Sequence, residues 1–285
     1  MDFDITASIV LYKTDREIVN KAISSFLDTG MSVKLYLVDN SPSNELRSLS
    51  TDSRVEYIFN NGNIGFGAAH NIAIYRALRE APYHLVLNPD VTFDGNILER
   101  IFAFMKQHPE VGQLLPRVLY NDGSPQLLCK LLPSPYDLFG RRFFKNARWA
   151  IRRNERYELA DFDYRHNLNV PNLSGCFMFL RTEVLITVGV FDTRFFMYLE
   201  DVDLTRRIHK VAQTLFYPAV HIYHGFEKGS YTNPQLLKYH IRSALNYFNK
   251  WGWLIDGERD DFNRRVMNSI QALNNRKQDV SDSGN

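Results

Sequence analysis

Acidic residues cluster at one place in the sequence, where an aromatic segment runs directly into a predicted helix. Glu200, Asp201 and Asp203 follow the segment Phe195–Leu199. Negative charge at a helix N-terminus is stabilised by the helix dipole, so a purely structural role is one interpretation. An apolar approach also raises the basicity of a carboxylate by desolvation, which is a condition for a general base. These residues alone leave both interpretations open.

Two further carboxylates follow apolar runs that are typical of strands. Asp39 comes after Lys34–Val38, where it would accept hydrogen bonds from a nucleobase or a ribose, or else end the strand in an Asx-turn. Asp90 ends an Asn-Pro-Asp turn after another apolar run. Magnesium or manganese on a diphosphate needs only one or two protein carboxylates, so Asp90 is a candidate ligand or a turn cap. His224 is a candidate second ligand, although a lone histidine is more often structural.

A glycine-rich turn opens a predicted helix between these two strands. It contains Asn63, Gly65, His70 and Asn71. Glycine lets a backbone approach a phosphate or base closely, and a helix N-terminus favours anions. The spacing matches neither the dinucleotide fingerprint nor a phosphate-binding loop with its lysine. The segment therefore predicts a nucleotide-pocket turn only in combination with the other motifs.

The elements that must position these residues alternate between strands and helices. Short apolar runs predict strands, and apolar residues at helical spacing predict helices. Such alternation implies a parallel sheet, in which ligands bind beyond the carboxyl ends of the strands. The predicted strands are Ser8–Tyr12, Lys34–Val38, Val55–Phe59, His84–Leu87, Gly175–Arg181 and Leu215–Tyr217, with an extended segment at Val111–Tyr120. The predicted helices are Arg16–Leu27, one that includes Ile72–Leu78, Ile97–Gln107, one around Glu183, Asp201–Val211 and Gln235–Leu254.

The bulk properties are ordinary for a globular protein. The chain has 285 residues, enough for one large domain or one domain with a C-terminal extension. A net charge of +2 gives no global field that would favour nucleic acid. Two cysteines are too few for a disulfide framework, and neither a signal peptide nor a bilayer-spanning apolar run is evident. We expect a cytoplasmic protein, and peripheral contact with the inner face of the cytoplasmic membrane is left open.

Three segments lie outside this alternation. Residues 134–165 are interpreted as an insertion that packs on or loops over the site. Its basic and aromatic residues suit either anionic lipid or, as we prefer, a solvated helix face: Arg141, Arg142, Phe143, Phe144, Lys145, Arg148, Trp149, Arg152 and Arg153. Aromatic residues near the C-terminus suit either a homodimer contact or, as we prefer, a core seam: Tyr239, Tyr247, Phe248, Trp251 and Trp253. The polar residues Arg276–Asn285 are predicted to be disordered.

Taken in order, the motifs resemble those of the family 2 inverting glycosyltransferases, which have the GT-A fold. The motifs are Asp39, Asn63–Phe66, Leu87–Asp90, Gly175–Met178 and Phe195–Leu204. The resemblance extends from about Ile5 to Lys250 and is greatest to the rhamnosyltransferases of bacterial surface-polysaccharide synthesis. It implies an α/β fold with a mostly parallel central sheet flanked by helices. The implied parts are a glycosyltransferase domain at 1–232, with a Rossmann-like nucleotide-binding half at 1–118 and an acceptor-side half at 119–232, and a C-terminal helical extension and polar tail at 233–285.

The resemblance implies a donor-binding set on the first half of the chain. Asp39 would contact the base or the ribose of the nucleotide. Asn63 and Gly65 would shape the nucleotide pocket, together with Asn71 and, less directly, His70. These residues follow the second predicted strand and the glycine-rich turn, so they would meet at one sheet edge.

A metal site is also implied, with one departure from the family pattern. The family's Asp-x-Asp motif has Asn88 at its first position here, so Asn88 is assigned to donor binding. Ligation of Mn²⁺ or Mg²⁺ would therefore rest on Asp90 and His224. His224 and the nearby Gly229–Ser230 resemble the family's histidine-containing loop that completes the metal shell and covers the diphosphate.

The remaining implied residues belong to catalysis and to the acceptor side. Asp201 matches the catalytic base, with Glu200 as the second choice. Gly175, Cys176 and Asp203 would lie on the acceptor side.

The implied activity is inverting transfer of a sugar from a nucleotide-diphosphate donor. The expected donor is dTDP-rhamnose, and the expected acceptor is a hydroxyl of a glycan or lipid-linked saccharide in O-antigen or capsule-type synthesis. A UDP-hexose or UDP-N-acetylhexosamine is the alternative donor. A nucleotide-sugar-binding protein and a nucleotidyltransferase are the competing classes, although Tyr12–Asp15 lacks the glycines expected of the latter.

Overall fold

The computed structural model describes residues 1–140, 147–225 and 234–282. Strands and helices alternate up to residue 107, apart from one short extra strand, as the sequence predicts, but consecutive strands and consecutive helices follow in the rest of the chain. The strands are β1 (Ile5–Leu11), β2 (Val33–Asp39), β3 (Val55–Phe59), β4 (Tyr83–Leu87), β5 (Val91–Thr92), β6 (Val111–Leu119), β7 (Cys129–Lys130), β8 (Leu168–Asn169), β9 (Asn172–Leu173), β10 (Phe177–Arg181) and β11 (Gln213–His224). The helices are α1 (Arg16–Leu27), α2 (Phe66–Glu80), α3 (Ile97–Gln107), α4 (Pro135–Phe139), α5 (Arg148–Tyr157), α6 (Thr182–Val188), α7 (Glu200–His209), α8 (Pro234–Trp251) and α9 (Gly257–Asp282).

One mixed sheet carries the fold. Within the described ranges its strand order is β3-β2-β1-β4-β10-β6-β11-β5, and β8 pairs with β11. The strands β1 to β4 are parallel where they pair, as are β6 and β11. The strand β10 is antiparallel to both of its neighbours, with Phe177 opposite Leu87. The chain therefore enters β10 at the edge where β4 ends, which brings Gly175 and Cys176 to that edge.

The helices pack apolar faces on this sheet. In α1, the Asp15 side chain caps the helix by accepting hydrogen bonds from the backbone N–H groups of Glu17 and Ile18. Its buried residues recur at helical spacing, as the sequence pattern requires: Val19, Ala22, Ile23 and Phe26. Within the described ranges, every helix is too short or too polar to cross a bilayer.

A buried polar chain crosses the sheet beneath α2. Thr6 Oγ1 lies 2.8 Å from His84 Nδ1, and Ser8 Oγ lies 2.8 Å from His84 Nε2. The same Ser8 hydroxyl lies 2.7 Å from His70 Nδ1. Both imidazoles are fully buried, and burial lowers their pKa values, that of His84 to about 3. The two rings are therefore neutral at physiological pH.

Two expectations about the second half of the chain are wrong. The strand predicted at Leu215–Tyr217 is the middle of the longer strand β11. Pro218 ends the predictable pattern because it lacks an N–H group, but an irregularity between Tyr217 and His221 lets β11 resume its pairing with β6. The disorder predicted from Arg276 is also wrong as far as Asp282, since α9 extends to that residue.

The C-terminal helices are fixed to α7 by a buried ion pair. The Arg206 guanidinium is almost fully buried and donates to both carboxylate oxygens of Asp256, at 2.7 and 2.8 Å. It also donates to Glu258 at 3.0 Å and lies over the Trp251 ring. Tyr247 and Phe248 of α8 are buried in a cluster with residues that precede and begin α7. The core-seam interpretation is therefore correct for Tyr247 and Phe248.

Candidate functional site

A cavity of about 1320 Å³ opens at the carboxyl ends of the parallel strands. Tyr12, Asn40 and Asn88 directly follow β1, β2 and β4, and all three line it. Single small-ligand sites typically enclose about 300–1,000 Å³. The cavity therefore has room for a donor and part of an acceptor together.

One corner of the cavity holds a carboxylate beside an imidazole. Asp90 Oδ1 lies 3.4 Å from His224 Nε2, and Asn88 Nδ2 lies 3.4 Å from the same nitrogen. On the other side of the ring, His224 Nδ1 lies 3.1 Å from Gln126 Oε1. The Gln126 amide nitrogen donates to the His224 carbonyl at 2.8 Å, which turns its oxygen toward Nδ1. In the neutral ring Nδ1 must then carry the proton, and Nε2 presents its lone pair toward Asp90.

These residues suit a cation that arrives with a diphosphate. Among the described residues, no group of three or more His, Cys, Asp and Glu side chains is arranged to hold a metal. Asp90 and His224 would supply two ligands to such an ion, and a magnesium-type ion on a diphosphate completes its shell with phosphate oxygens and water. The pair fits that coordination and does not fit a closed structural site with four protein ligands. Gly229 and Ser230, expected to cover the diphosphate, lie outside the described residues.

The glycine-rich turn approaches the segment before α7 so closely that position 65 requires glycine. Gly65 has φ +97°, and a Cβ atom there would lie 2.6 Å from the carbonyl oxygen of Phe196. The Phe66 N–H donates to that same carbonyl at 2.9 Å. Asn63 Oδ1 accepts from the Gly65 N–H at 3.0 Å and from Asn40 at 3.3 Å. Asn63 lines the cavity, so the position of this turn is compatible with the pocket-shaping role expected of it.

Asp39 ends β2 as predicted, but its side chain is buried beside the cavity rather than lining it. One carboxylate oxygen accepts from the backbone N–H of Ser41 at 2.8 Å, and the other accepts from the hydroxyl of Tyr57 at 2.5 Å. Burial and then this carboxylate raise the pKa of Tyr57. The geometry is that of an Asx-turn, and the contact with base or ribose stays a prediction.

Two further members of the predicted donor set also face the protein interior. Both ends of the Asn71 amide bond the backbone of Phe191, at 2.8 and 3.0 Å, which ties α2 to the segment before α7. His70 belongs to the buried polar chain and packs edge-on against Phe66. Both side chains are occupied within the fold, and their expected donor contacts stay a prediction.

The acidic pair at the start of α7 faces the cavity. Asp201 Oδ2 accepts from the backbone N–H of Gly175 at 2.9 Å, and Oδ1 accepts from the N–H of Val202 at 2.9 Å. Glu200 is buried, and its Oε2 atom has no hydrogen-bond partner among the described residues. Both residues line the cavity. Asp201 is thus held rigidly, whereas Glu200 keeps an unused oxygen.

The two carboxyl groups differ in their electrostatic surroundings. Burial raises the pKa of Asp201, and the two backbone N–H bonds and the charge of Lys130 oppose that shift. Burial and then the charge of Asp201 raise the pKa of Glu200 well above its usual range. Asp201 is therefore the member of the pair that loses its proton first, which is what a general base requires.

The backbone before α7 is strained in a way that aims these side chains. Tyr198 and Leu199 have φ values of +69° and +66°, in the left-handed region that non-glycine residues seldom occupy. The hydroxyl of Ser243 on α8 donates to the Met197 carbonyl at 2.8 Å and holds this segment. Such strain persists only where surrounding packing imposes it, as α8 does here.

Of the three residues predicted on the acceptor side, two line the cavity and one does not. Gly175 and Cys176 lie between the two acidic positions, and the charges of Asp90 and Asp201 both act on the Cys176 thiol. Burial raises the pKa of that thiol to about 12, so it is not a nucleophile. Asp203 does not line the cavity and binds Lys250, Trp251 and Arg207, so its role on the acceptor side stays a prediction.

The insertion forms a wall of the cavity, as expected. Residues from α4 and α5 line it together with residues from α8: Asp137, Leu138, Phe139, Asn154, Tyr157, Leu237, His240 and Ile241. Lys130 on β7 also lines it, with its ammonium group 5.9 Å from the centre of the Tyr157 ring. The expected basic residues Arg141, Arg142 and Lys145, with Phe143 and Phe144, lie outside the described residues.

Sequence reasoning missed Gln126, Lys130 and Asn40. Asn40 carried a usable signal, because it directly follows Asp39 at a strand end. Gln126 and Lys130 lie in a segment without clean periodicity, and they reach the site through contacts with residues far away in the sequence. No local pattern could have identified them.

Comparisons with known proteins identify the family of the chain. The family described as "Glycosyl transferase family 2" matches residues 8–189. A hexosyltransferase of low-salt glycan biosynthesis, Agl10 from Haloferax volcanii, is 26% identical over 211 residues, which are 73% of this chain and 62% of that protein. An N-acetylglucosaminyl-diphospho-decaprenol L-rhamnosyltransferase from Mycobacterium tuberculosis is 26% identical over 215 residues, which are 70% of this chain and 68% of the relative. The chain thus spans less than two thirds of the length of Agl10.

A solved structure shares the fold. The crystal structure of residues 1–349 of TarS from S. aureus superposes with a TM-score of 0.58 at 17% identity. The superposition covers 93% of this chain and 71% of that one. At this level of identity the likeness concerns the fold alone.

Proposed function

The chain belongs to glycosyl transferase family 2, and on that premise we propose that it moves a sugar from a nucleotide-diphosphate donor to an acceptor hydroxyl, with inversion at the anomeric carbon. The observation that supports this most directly is that Asp90 and Asp201 line one cavity. One carboxylate lies beside an imidazole that can share a cation with it, and the other begins a helix. A displacement reaction needs both: a place for the departing diphosphate and a base for the attacking hydroxyl.

In the proposed reaction Asp201 removes the proton of the acceptor hydroxyl. The acceptor oxygen forms a bond to the anomeric carbon, and the bond from that carbon to the phosphate oxygen breaks. The nucleoside diphosphate leaves with the bonding electrons from the opposite face of the sugar. The backbone N–H groups of Gly175 and Val202 keep the Asp201 carboxylate in one orientation, which favours a direct transfer of the proton.

Asp90 and His224 would hold Mn²⁺ or Mg²⁺ together with the donor. When bound, such an ion neutralises the charge that grows on the leaving diphosphate, a Lewis-acid effect of several kcal/mol. Gln126 accepts a hydrogen bond from the Nδ1–H group of His224, which leaves the lone pair of Nε2 available. Asn88 contributes an uncharged amide at the same corner, which favours donor binding without a further ligand charge.

The proposed donor is dTDP-rhamnose, and the proposed acceptor is a lipid-linked or other saccharide of surface-polysaccharide synthesis. This follows the name of the mycobacterial relative, a rhamnosyltransferase acting on a diphospho-decaprenol-linked sugar. A second candidate is a UDP-hexose or UDP-N-acetylhexosamine, which the hexosyltransferase name of Agl10 supports. Lys130, which lines the cavity near Asp201, carries a charge suited to an anionic group of an acceptor.

The test is a donor panel with product analysis. Purified protein and Mn²⁺ are incubated with dTDP-rhamnose, UDP-glucose or UDP-N-acetylglucosamine, with and without a saccharide acceptor. We expect release of a nucleoside diphosphate from one donor, and NMR of the product should show the inverted anomer.

Other products would reject the proposal. Release of pyrophosphate or formation of a nucleoside triphosphate would indicate a nucleotidyltransferase. A donor-dependent rise in melting temperature without any release, across a broad acceptor panel, would indicate a nucleotide-sugar-binding protein. Retention of the donor's anomeric configuration would exclude a single displacement by the acceptor hydroxyl with Asp201 as its base.

A further inference from the structure

The loop between α8 and α9 exposes consecutive large apolar side chains. Leu254 and Ile255 are 85% and 91% exposed, and the neighbouring Trp253 is 38% exposed. Single exposed apolar residues are common on protein surfaces, but adjacent ones at a loop tip form a patch that marks an interaction site. Trp253 donates its indole N–H to Asn249, so its ring has both an apolar face and a satisfied polar group.

The loop is held in this conformation rather than frayed. Gly252 has φ +102°, and a Cβ atom there would lie 2.6 Å from the carbonyl oxygen of Ile255, so the turn requires glycine. The Gly252 N–H closes α8 on the Phe248 carbonyl at 2.8 Å. On the other side of the tip, Asp256 is anchored by its buried ion pair with Arg206. The fold therefore presents the two apolar side chains to the outside from a rigid base.

An apolar path connects this tip with the cavity. Phe139 of α4 lines the cavity and also stacks on Trp253, with ring centres 6.3 Å apart and planes 9° apart. Leu237 and Ile241 of α8 line the same side of the cavity. A hydrocarbon group attached to a substrate in the cavity would therefore leave it along apolar side chains.

The helix α5, which contacts α4, presents a basic surface. The helix α5 carries four exposed arginines and one exposed glutamate: Arg148, Arg152, Arg153, Arg156 and Glu155. Its exposed Trp149 packs on Tyr136 of α4, with ring centres 5.2 Å apart. Phe139 at the end of α4 contacts the other exposed tryptophan, Trp253. Two exposed tryptophans and an arginine-rich helix thus flank α4, which is the composition of an interfacial membrane contact.

We propose that Trp253, Leu254 and Ile255 dock the protein on an anionic lipid bilayer, with the arginines of α5 against the headgroups. Leucine and isoleucine enter the acyl region, tryptophan lies at headgroup level, and arginine pairs with anionic headgroup phosphates. The cavity then opens beside the bilayer along the Phe139 path. A second copy fits the surface less well, because a twofold contact through this patch would bring the arginine-rich helices of both copies together.

The test is co-sedimentation of the full chain with vesicles of phosphatidylcholine, with and without phosphatidylglycerol. It needs no donor and no turnover, so its outcome is separate from that of the proposed function. We expect binding to the anionic vesicles that weakens as salt is raised. The double variant Leu254→Ser with Ile255→Ser should bind roughly a hundredfold more weakly, since burial of each side chain contributes about tenfold.

Matched controls separate docking from general surface effects. Ile186→Ser removes another exposed apolar residue, on α6 and outside the cavity lining, and should bind as the wild type does. Arg148→Glu with Arg152→Glu should lose the preference for anionic vesicles. All variants should melt as the wild type does because the substituted side chains are exposed. Failure of the wild type to bind either vesicle would overturn the proposal, as would dissociation of a wild-type dimer by the loop variant with unchanged vesicle binding.

Discussion

At the scale of single residues, environment separates side chains of the same type. Asp90 is partly exposed beside His224, where a cation and a diphosphate can reach it. Asp201 is half-buried and accepts from two backbone N–H groups, whereas Asp203, two residues further on, is buried and pairs with Lys250 on α8. Three aspartates therefore have three environments: one lies beside an imidazole, one is held by backbone N–H groups, and one joins neighbouring helices.

We predict that Asp201→Asn lowers kcat by about 10²–10⁴-fold with little change in donor affinity, because general-base help contributes that factor. Steady-state kinetics and donor titration by calorimetry measure the two quantities. The raised pKa of Asp201 also predicts that kcat falls with decreasing pH from a higher pH than an ordinary aspartate would require. That acid limb should be absent from the residual activity of the variant.

Asp203→Asn is the matched control on the same helix. It should lower the melting temperature by loosening the contacts to Lys250 and Trp251, while kcat at a temperature well below melting stays near that of the wild type. Near-normal turnover by Asp201→Asn would reject the base assignment. Strong loss of turnover in Glu200→Gln alone would transfer the role to Glu200.

Gln126 is predicted to control the Mn²⁺ affinity of Asp90 and His224 through the tautomer of His224. Gln126→Leu removes the group that accepts the Nδ1–H hydrogen bond, at similar volume. We expect the Mn²⁺ affinity to fall by about 10–100-fold, because the outer partners of metal-bound histidines typically contribute that factor. Mn²⁺ titration in the presence of a nucleoside diphosphate, followed by electron paramagnetic resonance, measures this. Gln113→Leu replaces another buried glutamine outside the cavity and should leave the affinity unchanged. Equal affinities in both variants would contradict the role of Gln126.

At the scale of elements, strand ends place the site and helices hold it. The residues after β1, β2 and β4 meet at one edge because those strands are parallel and in register. The antiparallel β10 begins at that edge and adds Gly175 and Cys176. The helix α8 then fixes the strained segment before α7 through Ser243. The site is therefore assembled from the ends of elements rather than from one continuous motif.

The buried His84, which lies on β4 beside Thr6 and Ser8 of β1, predicts a stability that decreases in acid. The folded-state pKa of His84 is depressed to about 3, so below pH 6.5 the unfolded chain takes up a proton that the folded chain refuses. As the pH is lowered from 6.5 to about 3, the free energy of unfolding should therefore decrease by about 1.4 kcal/mol per pH unit for each such histidine. Urea unfolding at a series of pH values should show a shallower acid limb in His84→Gln. His166→Gln, at an exposed site, should keep the wild-type slope.

At the scale of the whole molecule, the C-terminal helices are part of the catalytic framework. Arg206, on the helix that carries the acidic pair, reaches Asp256 and Glu258 at the start of α9. The predicted GT-A fold is confirmed by the mixed sheet flanked by helices and by the likeness to the TarS structure. The helix α8 lines the cavity, and α9 packs against β8 of this sheet.

We predict that Asp256→Ala destabilises the protein by about 3–5 kcal/mol, because it leaves the buried Arg206 guanidinium without its main partner. Asp261→Ala on the same helix breaks an exposed pair with Arg265 and should cost at most about 1 kcal/mol. Denaturant unfolding of both variants measures the difference. Similar values for the two would show that the buried pair does not anchor α9.

Sequence pattern predicted the helix bounds of α1 and α3 and the bounds of β3, because one strong periodicity covers each element. It missed α9, although Phe262, Val266, Ile270 and Leu273 recur there at helical spacing and pack against the core. It also shortened β11 at Pro218, since a bulge depends on the partner strand. The β11 prediction thus failed because strand pairing decides its length, whereas the α9 prediction failed although a local pattern was present.

The sequence by itself determined the family, the alternation of strands and helices, and the candidates Asp90, His224, Glu200 and Asp201, because residue type and order are local properties. Only the tertiary structure decided that Asn71 and Asp203 bind other parts of the fold, that Gln126 orients His224, and that Leu254 and Ile255 are exposed. Whether a side chain meets a ligand or another side chain depends on its distance to residues far away in the chain. Folding sets those distances, and burial then sets which carboxyl group keeps its proton.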